Sequence, residues 1–417
     1  MTIDVLVEIG IKHNDGIFSY HVPKDMENDI TLGIRVLVPF TKRELEGFVL
    51  AIHHDKEYEY ELKDIIEIVD EFPVLNSEMI SLGEYIKDKY MASLISSYQV
   101  MLPKALKAKE KVNINIKEDK YIALKVSIDE ATMYIESNTR APKQNEVLEA
   151  LIDLSKVKKS MFDSSLVNKL IMKGLIQIET EVVNRLVSKN YEETLKKELT
   201  IEQQKAYDAI KLNESNTYLL HGVTSSGKTE IYMQLIEESL KLGKEAIVLV
   251  PEISLTPQII NNFKGPFAEN VSVLQRRLCD GDRYDEYRKI VNKEVQIVVG
   301  ARSAIFAPFT NIGVIVIDEE HESTYKQENN PRYSAIDIAI ERSNSHKCPV
   351  ILGSATPSLE SYARASKGVY QLLELTKRIN DVRMPSVNLV NMLNEYKKQN
   401  FIFSDLLSSK IKDRLEK

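Results

Sequence analysis

A glycine-rich loop, GVTSSGKT at residues 222–229, limits the folds open to this chain more than any other stretch of its 417 residues. A glycine, four free positions, then glycine, lysine and a hydroxyl residue form a pattern whose backbone N–H groups can face phosphate oxygens. TYLLHG before the loop reads as a strand, and EIYMQLIEESLKLG after it reads as a helix that stops at Gly243. The sequence therefore predicts a strand–loop–helix unit that binds a nucleotide through Gly222, Thr224, Ser225, Ser226, Gly227, Lys228 and Thr229.

Two later segments suit a nucleotide that is hydrolysed as well as bound. VIVIDEEH (residues 314–321) places Asp318 and Glu319 directly after an apolar strand. There Asp318 can hold Mg²⁺ together with Thr229, and Glu319 can orient or deprotonate a water molecule. GSATPS (residues 353–358) follows the strand PVIL, and its small residues let the backbone approach the acidic pair. We therefore predict Lys228, Asp318 and Glu319 as catalytic residues.

The remaining pattern predicts more than one domain. From about residue 199 to residue 375, apolar runs such as EAIVLVPE alternate with amphipathic helices, which is typical of a parallel sheet covered on both faces. The first hundred residues hold short β-branched runs between turn signals and predict a small barrel-like domain. MISLGEYIKDKYMASLISSYQVML then reads as one helical stretch that ends at Pro103.

The region between these two parts is less strongly patterned. Residues 104–125, KALKAKEKVNINIKEDKYIALK, are lysine-rich and fit either a solvated linker or a basic contact surface. From Arg140, two helices with a break at Gly174 and then a β-branched strand pair indicate a winged-helix module. Such modules either bind DNA or serve as spacers and protein contacts.

Composition removes several classes of protein. No run of about twenty apolar residues is present, so we expect no membrane span, and the N-terminus has no signal-peptide pattern. Cys279 and Cys348 are too few for a disulfide framework or a metal cluster, which fits a reducing cytoplasm. The net charge of −7 argues mildly against a chain that coats nucleic acid, although a local basic groove remains compatible with it.

Five segments together carry a family resemblance. GVTSSGKT, VPEISLTPQ, GARSAIFAPF, VIDEEHESTYKQENNPRY and LGSATPSLES occur in this order and resemble the first motor lobe of superfamily 2 DNA helicases. Within that superfamily the set is similar to the primosomal replication-restart helicases. GIFSYHVP, GIRVLVPF and LEGFVLAI resemble the DNA 3′-end-binding domain of that family, and residues 140–185 resemble its winged helix.

The resemblance implies a fold and its domain limits. We expect a multidomain chain with a small β-rich N-terminal domain, a winged helix and an α/β RecA-like parallel-sheet motor lobe. The expected ranges are 1–105 for the 3′-end-binding domain, 106–190 for the linker and winged helix, and 191–417 for the first lobe and the start of its connection to a second one. The implied cofactors are ATP and Mg²⁺.

The resemblance also implies roles for single residues. Gln203 of LTIEQQKAYDAI would lie on the adenine side, although it also fits a surface position on a helix capped by Thr200. Ser354 and Thr356 would couple the nucleotide state to the grip on DNA. The implied DNA contacts are Phe18, Tyr20, Arg302, Tyr325, Lys326, Arg332 and Tyr333.

These DNA contacts fall into two groups. STYKQENNPRY would be an aromatic-rich loop that senses single-stranded DNA, because stacking on rings with cationic contacts to phosphates tolerates any base sequence. Phe18 and Tyr20 stand where the family has an aromatic pair in its 3′-end pocket. Both residues also fit alternate positions on one strand that pack a small core.

The sequence departs from the family pattern at four noted positions. Gln275 and Arg276 replace a His-Ser pair, which puts DNA contacts from that segment in doubt, and Ser334 and Ile336 replace polar or basic residues of the aromatic-rich loop. No CxxC pair occurs, and the chain ends at Lys417. We therefore expect the N-terminal portion of a longer protein, with the second motor lobe and the zinc site outside it, and weak nucleotide turnover by this portion alone.

The expected function is an ATP-dependent 3′-to-5′ DNA helicase that recognises stalled or collapsed replication forks and starts primosome assembly for replication restart. Forked and single-stranded DNA are the expected ligands. Single-strand DNA-binding protein and helicase-loading proteins are the partners that the resemblance implies. The protein itself is expected to be a monomer in the cytoplasm, near the nucleoid. The alternatives are a fork-binding module without motor activity and another superfamily 2 translocase.

Overall fold

The N-terminal unit is an antiparallel sheet that curls towards a barrel, as the sequence predicted. This computed structural model describes residues 1–9, 16–108, 118–182, 197–275, 278–379 and 386–416. The sheet order is β2-β1-β4-β3-β5. The His21 N–H donates to the Lys63 carbonyl, and the segment then continues into the last strand, so the two sheet edges approach each other. The strands are β1 (Thr2–Val7), β2 (Ile17–His21), β3 (Arg35–Phe40), β4 (Arg43–His53) and β5 (Glu67–Ile68).

Two helices follow the barrel where the sequence predicted one helical stretch. They are α1 (Ser77–Tyr90) and α2 (Leu94–Met101). The break is at Met91, which adopts a left-handed φ of 51° and accommodates the turn, after which the Ser93 side chain caps α2. Gly83 of α1 is needed here because a Cβ at this position would overlap the buried ring of Tyr98. The helices therefore form a closely packed hairpin.

A three-stranded antiparallel sheet with three helices forms the middle of the chain, which agrees with the winged-helix part of the predicted fold class. The strand after Gly174 does not pair with a following strand within the described residues, so the predicted strand pair is corrected. Its partner is a central strand from the lysine-rich region that the sequence read as a linker or contact surface. The elements are β6 (Glu118–Leu124), α3 (Ile128–Ser137), α4 (Pro142–Leu154), β7 (Lys156–Lys158), α5 (Ser164–Met172) and β8 (Ile176–Val182).

A seven-stranded parallel sheet with helices on both faces forms the largest unit and confirms the predicted α/β class. The strand order is β11-β12-β10-β13-β14-β9-β15. The elements are α6 (Ile201–Ala209), β9 (Thr217–Gly222), α7 (Lys228–Lys241), β10 (Glu245–Leu249), α8 (Pro257–Phe267), β11 (Val271–Leu274), α9 (Asp280–Val291), β12 (Ile297–Gly300), β13 (Ile312–Asp318), α10 (Ala335–His346), β14 (Val350–Ser354), α11 (Leu359–Ser366) and β15 (Gln371–Leu375), followed by α12 (Met392–Lys397) and α13 (Asp405–Leu415).

The barrel, the hairpin α1–α2 and the parallel sheet share one apolar core. Leu6 and Phe48 of the barrel belong to the same buried cluster as Tyr98 of α2 and Ile338 of α10. The Tyr287 hydroxyl on α9 also donates to the carbonyl of Val74, 3.0 Å away. The N-terminal unit is therefore packed directly onto the sheet unit. Among the helices of the described ranges, none is long and apolar enough to cross a membrane.

Candidate nucleotide and DNA sites

The loop between β9 and α7 has the backbone that a phosphate cradle needs. Ser225 and Gly227 have left-handed φ angles of 66° and 81°, a backbone conformation that is typical of anion-binding turns. The buried Ser226 hydroxyl has no hydrogen-bond partner among the described residues, and the Lys228 ammonium donates to the Gly222 carbonyl at 2.9 Å. A phosphate would give both groups a stronger partner. The predicted loop residues therefore come together in a site that fits an anion.

Gln203 is buried against this loop and is not a surface residue. Its side chain and Thr200 form the capping box of α6, and its amide nitrogen donates to the Ser226 carbonyl at 2.9 Å. Both ends of the Gln203 amide are thus engaged, so an adenine would have to exchange one of these bonds. Beside it lies a cavity of about 800 Å³ lined in part by Thr200, Gln203, Gly227, Thr229, Met233 and Ile379.

The acidic pair stands at the carboxyl end of β13, two strands from the phosphate loop. The Tyr232 hydroxyl, one turn after Lys228 on α7, donates to Asp318 Oδ1 at 3.1 Å. Burial and the charge of Glu319 raise the pKa of Asp318, while Lys228 and Tyr232 act in the opposite direction. Glu319 has a left-handed φ of 47°, an uncommon conformation for this residue type that turns the chain immediately after the strand. A divalent cation at Asp318 would reverse this electrostatic balance.

Hydrogen bonds join the acidic segment to the GSATPS segment. The His321 Nδ1 and Ser354 Oγ atoms are 2.8 Å apart, and the Thr356 N–H donates to the same Ser354 oxygen at 3.0 Å. The predicted coupling residues Ser354 and Thr356 therefore lie beside the acidic pair. The roles of these residues remain predictions.

Sequence reasoning missed Glu320 and Tyr232 in this region. Glu320 is buried and its carboxylate caps α11 by accepting from the Ser358 N–H, the Ser358 hydroxyl and the Ser361 hydroxyl at 2.7, 3.1 and 2.8 Å. Its position inside DEEH could have been a signal, since a third consecutive acid needs a partner when it is buried. Tyr232 stands four residues after Lys228, which is the same face of α7.

The aromatic-rich loop buries two of the residues that the resemblance implied as DNA contacts. Tyr325 and Tyr333 are each only 1% exposed, so neither ring has a free face on which a base could stack. The Tyr325 hydroxyl donates to the backbone carbonyl of Asp318 at 2.6 Å, and Tyr333 packs edge-on against Phe306. The other two contacts of this loop, Lys326 and Arg332, are exposed to solvent.

Arg302, another of the implied DNA contacts, has its guanidinium bonded to the aromatic-rich loop. Its guanidinium donates to the carbonyls of Thr324 and Lys326 at 3.0 and 2.8 Å and lies above the Tyr333 ring. It therefore holds the aromatic-rich loop in place. Beside it runs a groove of about 730 Å³, lined in part by Gln99, Lys104, Gln275, Arg302, Ser303 and Gln327, and we refer to it as the central groove.

Phe18 and Tyr20 are divided between core and surface. Tyr20 is buried in the barrel core, which raises the pKa of its phenol, and Phe18 is half-buried with its ring 5.1 Å from that of Phe40. Tyr20 therefore packs in the barrel core, which is one of the two positions considered for it from the sequence. An open pocket of about 830 Å³, the barrel pocket, lies next to Tyr20 and is lined by His21, Pro39, Tyr58, Tyr60, Lys63 and Asp64, among others.

The departures from the family pattern are only partly visible. Gln275 lines the central groove, whereas Arg276 lies outside the described residues. Ser334 begins α10 without a capping bond from its own side chain, and Ile336 packs against the shared core.

Within the described ranges no group of three or more His, Cys, Asp or Glu side chains could hold a metal ion. Cys348 is buried, which raises the pKa of its thiol to about 12.

Comparison with known proteins agrees with this arrangement. Residues 4–103 match the family model of the PriA 3′ DNA-binding domain, and residues 200–365 match that of the DEAD/DEAH box helicases. Helicase domains of this class use ATP with Mg²⁺. A solved structure, the helicase domain of Hef from Pyrococcus furiosus, is 22% identical with a TM-score of 0.33, covering 44% of this chain and 39% of that one.

Curated relatives match the chain along nearly all of its length. The replication restart protein PriA of Bacillus subtilis is 40% identical over 487 residues, covering 99% of this chain and 60% of that protein. The protein of the same name from Haemophilus influenzae is 35% identical over 414 residues, covering 96% and 55%. This chain thus spans 55–60% of the length of these two relatives. On these grounds the chain belongs to the PriA family of replication restart proteins.

Proposed function

We propose that this chain supplies the DNA-recognition and nucleotide-binding parts of an ATP-dependent 3′-to-5′ DNA helicase. The helicase would act at stalled or collapsed replication forks and start primosome assembly for replication restart. The observation that carries the proposal is the arrangement at one edge of the parallel sheet. There the phosphate loop, the acidic pair and the GSATPS segment meet, in a unit packed directly on the barrel matched by the 3′ DNA-binding model.

The proposed division of labour at the nucleotide follows from charge and position. Mg²⁺, when bound with ATP, neutralises charge on the phosphates and polarises the bond that is broken. Lys228 and the loop N–H groups would bind the phosphates, and Thr229 and Asp318 would hold the cation. Glu319, next to Asp318, would orient or deprotonate the attacking water. The 800 Å³ cavity beside Gln203 has room for the base and ribose.

The proposed DNA contacts lie in two places. The barrel pocket combines two tyrosine rings with Lys63, beside the acids Glu61 and Asp64, and Asp64 is bonded to His21 at 2.6 Å. The rings suit stacking of a terminal nucleotide, and Lys63 suits its phosphate. The central groove lies at the carboxyl ends of β11 and β12, where Arg302, Ser303 and Gln275 face Lys104 of the N-terminal unit. Its mixture of cations, amides and apolar floor suits the backbone of a single strand. Lys326 and Arg332 would add phosphate contacts from the aromatic-rich loop.

We further propose that single-strand DNA-binding protein and helicase-loading proteins are partners, and that a monomer acts in the cytoplasm near the nucleoid. Any zinc site would lie outside the described residues. These proposals rest on membership of the family.

The experiment is fluorescence anisotropy with forked DNA whose arm ends in a 3′-hydroxyl or in a 3′-phosphate. We expect tighter binding to the free 3′ end, and a loss of this preference of at least about fivefold in Lys63→Ala. Lys24→Ala, an exposed lysine elsewhere on the same barrel, is the matched control. Equal affinity of the unchanged protein for both forks would contradict the 3′-end assignment.

A second variant separates DNA binding from nucleotide binding. Lys228→Ala should abolish binding of a fluorescent ATP analogue and keep the affinity for the fork, because the loop and the barrel pocket are separate sites. If the unchanged protein binds the fork but no nucleotide, the fork-binding module without motor activity becomes the better description.

A further inference from the structure

Helix α1, which lies within the range of the 3′ DNA-binding model, contacts α10 of the helicase unit at both ends. Glu78, at the start of α1, binds Arg342 and His346 near the end of α10. Tyr90, the last residue of α1, contacts Ser334 and Asp337 at the start of α10. The two helices therefore run in opposite directions, with polar contacts at both ends.

The contact at Tyr90 is an N-terminal cap built from another part of the chain. Ser334 is the N-cap residue of α10, and Asp337 stands at the third helical position, where a capping-box acid normally accepts from the N-cap N–H. Here the Ser334 N–H donates to the Tyr90 hydroxyl at 3.1 Å, and that hydroxyl donates to Asp337 Oδ2 at 2.9 Å. The tyrosine hydroxyl is thus inserted into the capping box of α10.

Neighbouring groups hold the phenol in this position. The Lys89 ammonium is 3.2 Å from the same Asp337 oxygen. Burial and the Asp337 charge raise the pKa of Tyr90, despite the opposing hydrogen bond from Ser334, so the hydroxyl keeps its proton at neutral pH. The Tyr85 hydroxyl, five residues earlier on α1, accepts from the Lys89 ammonium at 2.7 Å.

The capped end of α10 is joined to the acidic segment by the aromatic-rich loop. Ser334 forms a bridge with Lys326, and the Gln327 N–H donates to the Tyr333 carbonyl. Tyr325, next to Lys326, bonds the carbonyl of Asp318. The far end of α10 leads into β14, which ends at Ser354. A shift at the start of α10 would therefore displace both the acidic segment and the GSATPS segment, which flank the proposed nucleotide site.

The hairpin in turn connects Tyr90 with the barrel. Phe48 of β4 packs edge-on against Tyr98 of α2 with ring centroids 6.1 Å apart, and Gly83 of α1 lies against the same tyrosine. Packed side chains therefore connect the barrel with Tyr98, Tyr98 with α1, and α1 with Tyr90 at its end. The positions of the barrel and of the aromatic-rich loop are thus tied together.

We infer that Tyr90 is a positioning residue of the motor, through which the 3′-end-binding domain fixes the conformation of the aromatic-rich loop. Its consequence for DNA-dependent hydrolysis rests on the proposed function. Its consequence for the cap of α10 does not. Tyr90→Phe removes the hydroxyl and keeps the ring, and Tyr85→Phe removes a hydroxyl from the same helix that bonds Lys89, while the Tyr90 hydroxyl of the cap stays in place.

The first test is hydrogen–deuterium exchange of the full 417-residue chain, read on peptides that cover residues 327–340. Loss of the shared hydroxyl should speed exchange at Ser334 and the first turn of α10 by about fivefold or more in Tyr90→Phe. Tyr85→Phe should match the unchanged protein. Asp337→Ala breaks the cap from the other side, so combining it with Tyr90→Phe should add less than the sum of the two single effects. Equal exchange in Tyr90→Phe and Tyr85→Phe would overturn the inference.

The second test measures ATP hydrolysis against the concentration of oligo-dT. Tyr90→Phe should raise the oligo-dT concentration for half-maximal stimulation by about fivefold, with the preference for a free 3′ end unchanged because the barrel pocket is untouched. An unchanged DNA dependence together with faster exchange would overturn the link to the motor. If the unchanged protein shows no stimulation at all, the link to the motor fails, the proposed function is still decided by the nucleotide-binding test with Lys228→Ala, and the exchange experiment still decides the positioning role.

Discussion

Glu78→Gln tests how strongly the N-terminal unit is attached to the sheet. The Arg342 guanidinium is 1% exposed and donates to both carboxylate oxygens of Glu78, at 2.7 and 2.8 Å. It also donates to the carbonyls of Ile305, Ala307 and Phe309 in the segment after β12. The substitution keeps the shape of the side chain and removes its charge, so it leaves a buried guanidinium without a counterion.

The magnitude follows from two separate arguments. Burial would raise the pKa of Glu78, but Arg342 and His346 lower it, from an ordinary value of 4.5 to about 2. At about 1.4 kcal/mol per pKa unit, this fall corresponds to roughly 3 kcal/mol of stabilisation. The Glu78 side chain is 18% exposed, so solvent screening reduces the figure little. Breaking a buried ion pair by removing one partner costs about 3–5 kcal/mol, which agrees.

The pH dependence has a definite sign. Because the pKa of Glu78 is lower in the folded state, its contribution is complete above about pH 4.5 and is lost as the pH falls toward 2. Urea denaturation followed by circular dichroism should therefore show Glu78→Gln less stable by about 3 kcal/mol at pH 7, with the difference shrinking below pH 4. Glu84→Gln, an exposed acid on the same helix, should change stability by less than about 0.5 kcal/mol. A difference for Glu78→Gln below about 1 kcal/mol at pH 7, or one that persists at pH 2.5, would refute the reasoning.

Three further predictions concern the sites themselves. Gly353→Ala places a Cβ where the buried Tyr232 hydroxyl lies, so it should displace the Tyr232–Asp318 bond and lower ATP hydrolysis at least about tenfold with fork binding retained, as measured by steady-state turnover and anisotropy. Glu320→Gln should lower the free energy of unfolding by about 1–3 kcal/mol in urea titrations, because one amide cannot accept from all the donors that the carboxylate satisfies. Lys326→Ala should lower the slope of log affinity for oligo-dT against log salt concentration by about 1, since it removes one exposed phosphate contact.

The sequence predicts the parts of this molecule that have local signals. The phosphate loop and the DEEH segment depend on short patterns with a strand before them, and strands of the parallel sheet are continuous apolar runs, so both were predictable. The strand β6 was not predicted from the lysine-rich region because its sequence, EDKYIAL, lacks the alternation of apolar and polar residues that is typical of a half-buried strand. The cap of α10 by Tyr90 could not be predicted from the sequence, since Ser334 and Asp337 lie 244 and 247 residues after Tyr90 in the chain.

If DNA contacts the aromatic-rich loop as proposed, the burial of Tyr325 and Tyr333 determines which of its residues can respond. Withdrawing a fully buried tyrosine into solvent costs roughly 3 kcal/mol from its apolar area alone, and Tyr325 would also give up its bond to the Asp318 carbonyl. Stacking on one base contributes about 1–3 kcal/mol, so stacking by itself does not offset the cost of exposing the ring. Exposed Lys326 and Arg332 can meet phosphates without such a cost. A DNA strand would therefore act on this loop through its cations, while the two buried rings carry the resulting displacement to the acidic segment.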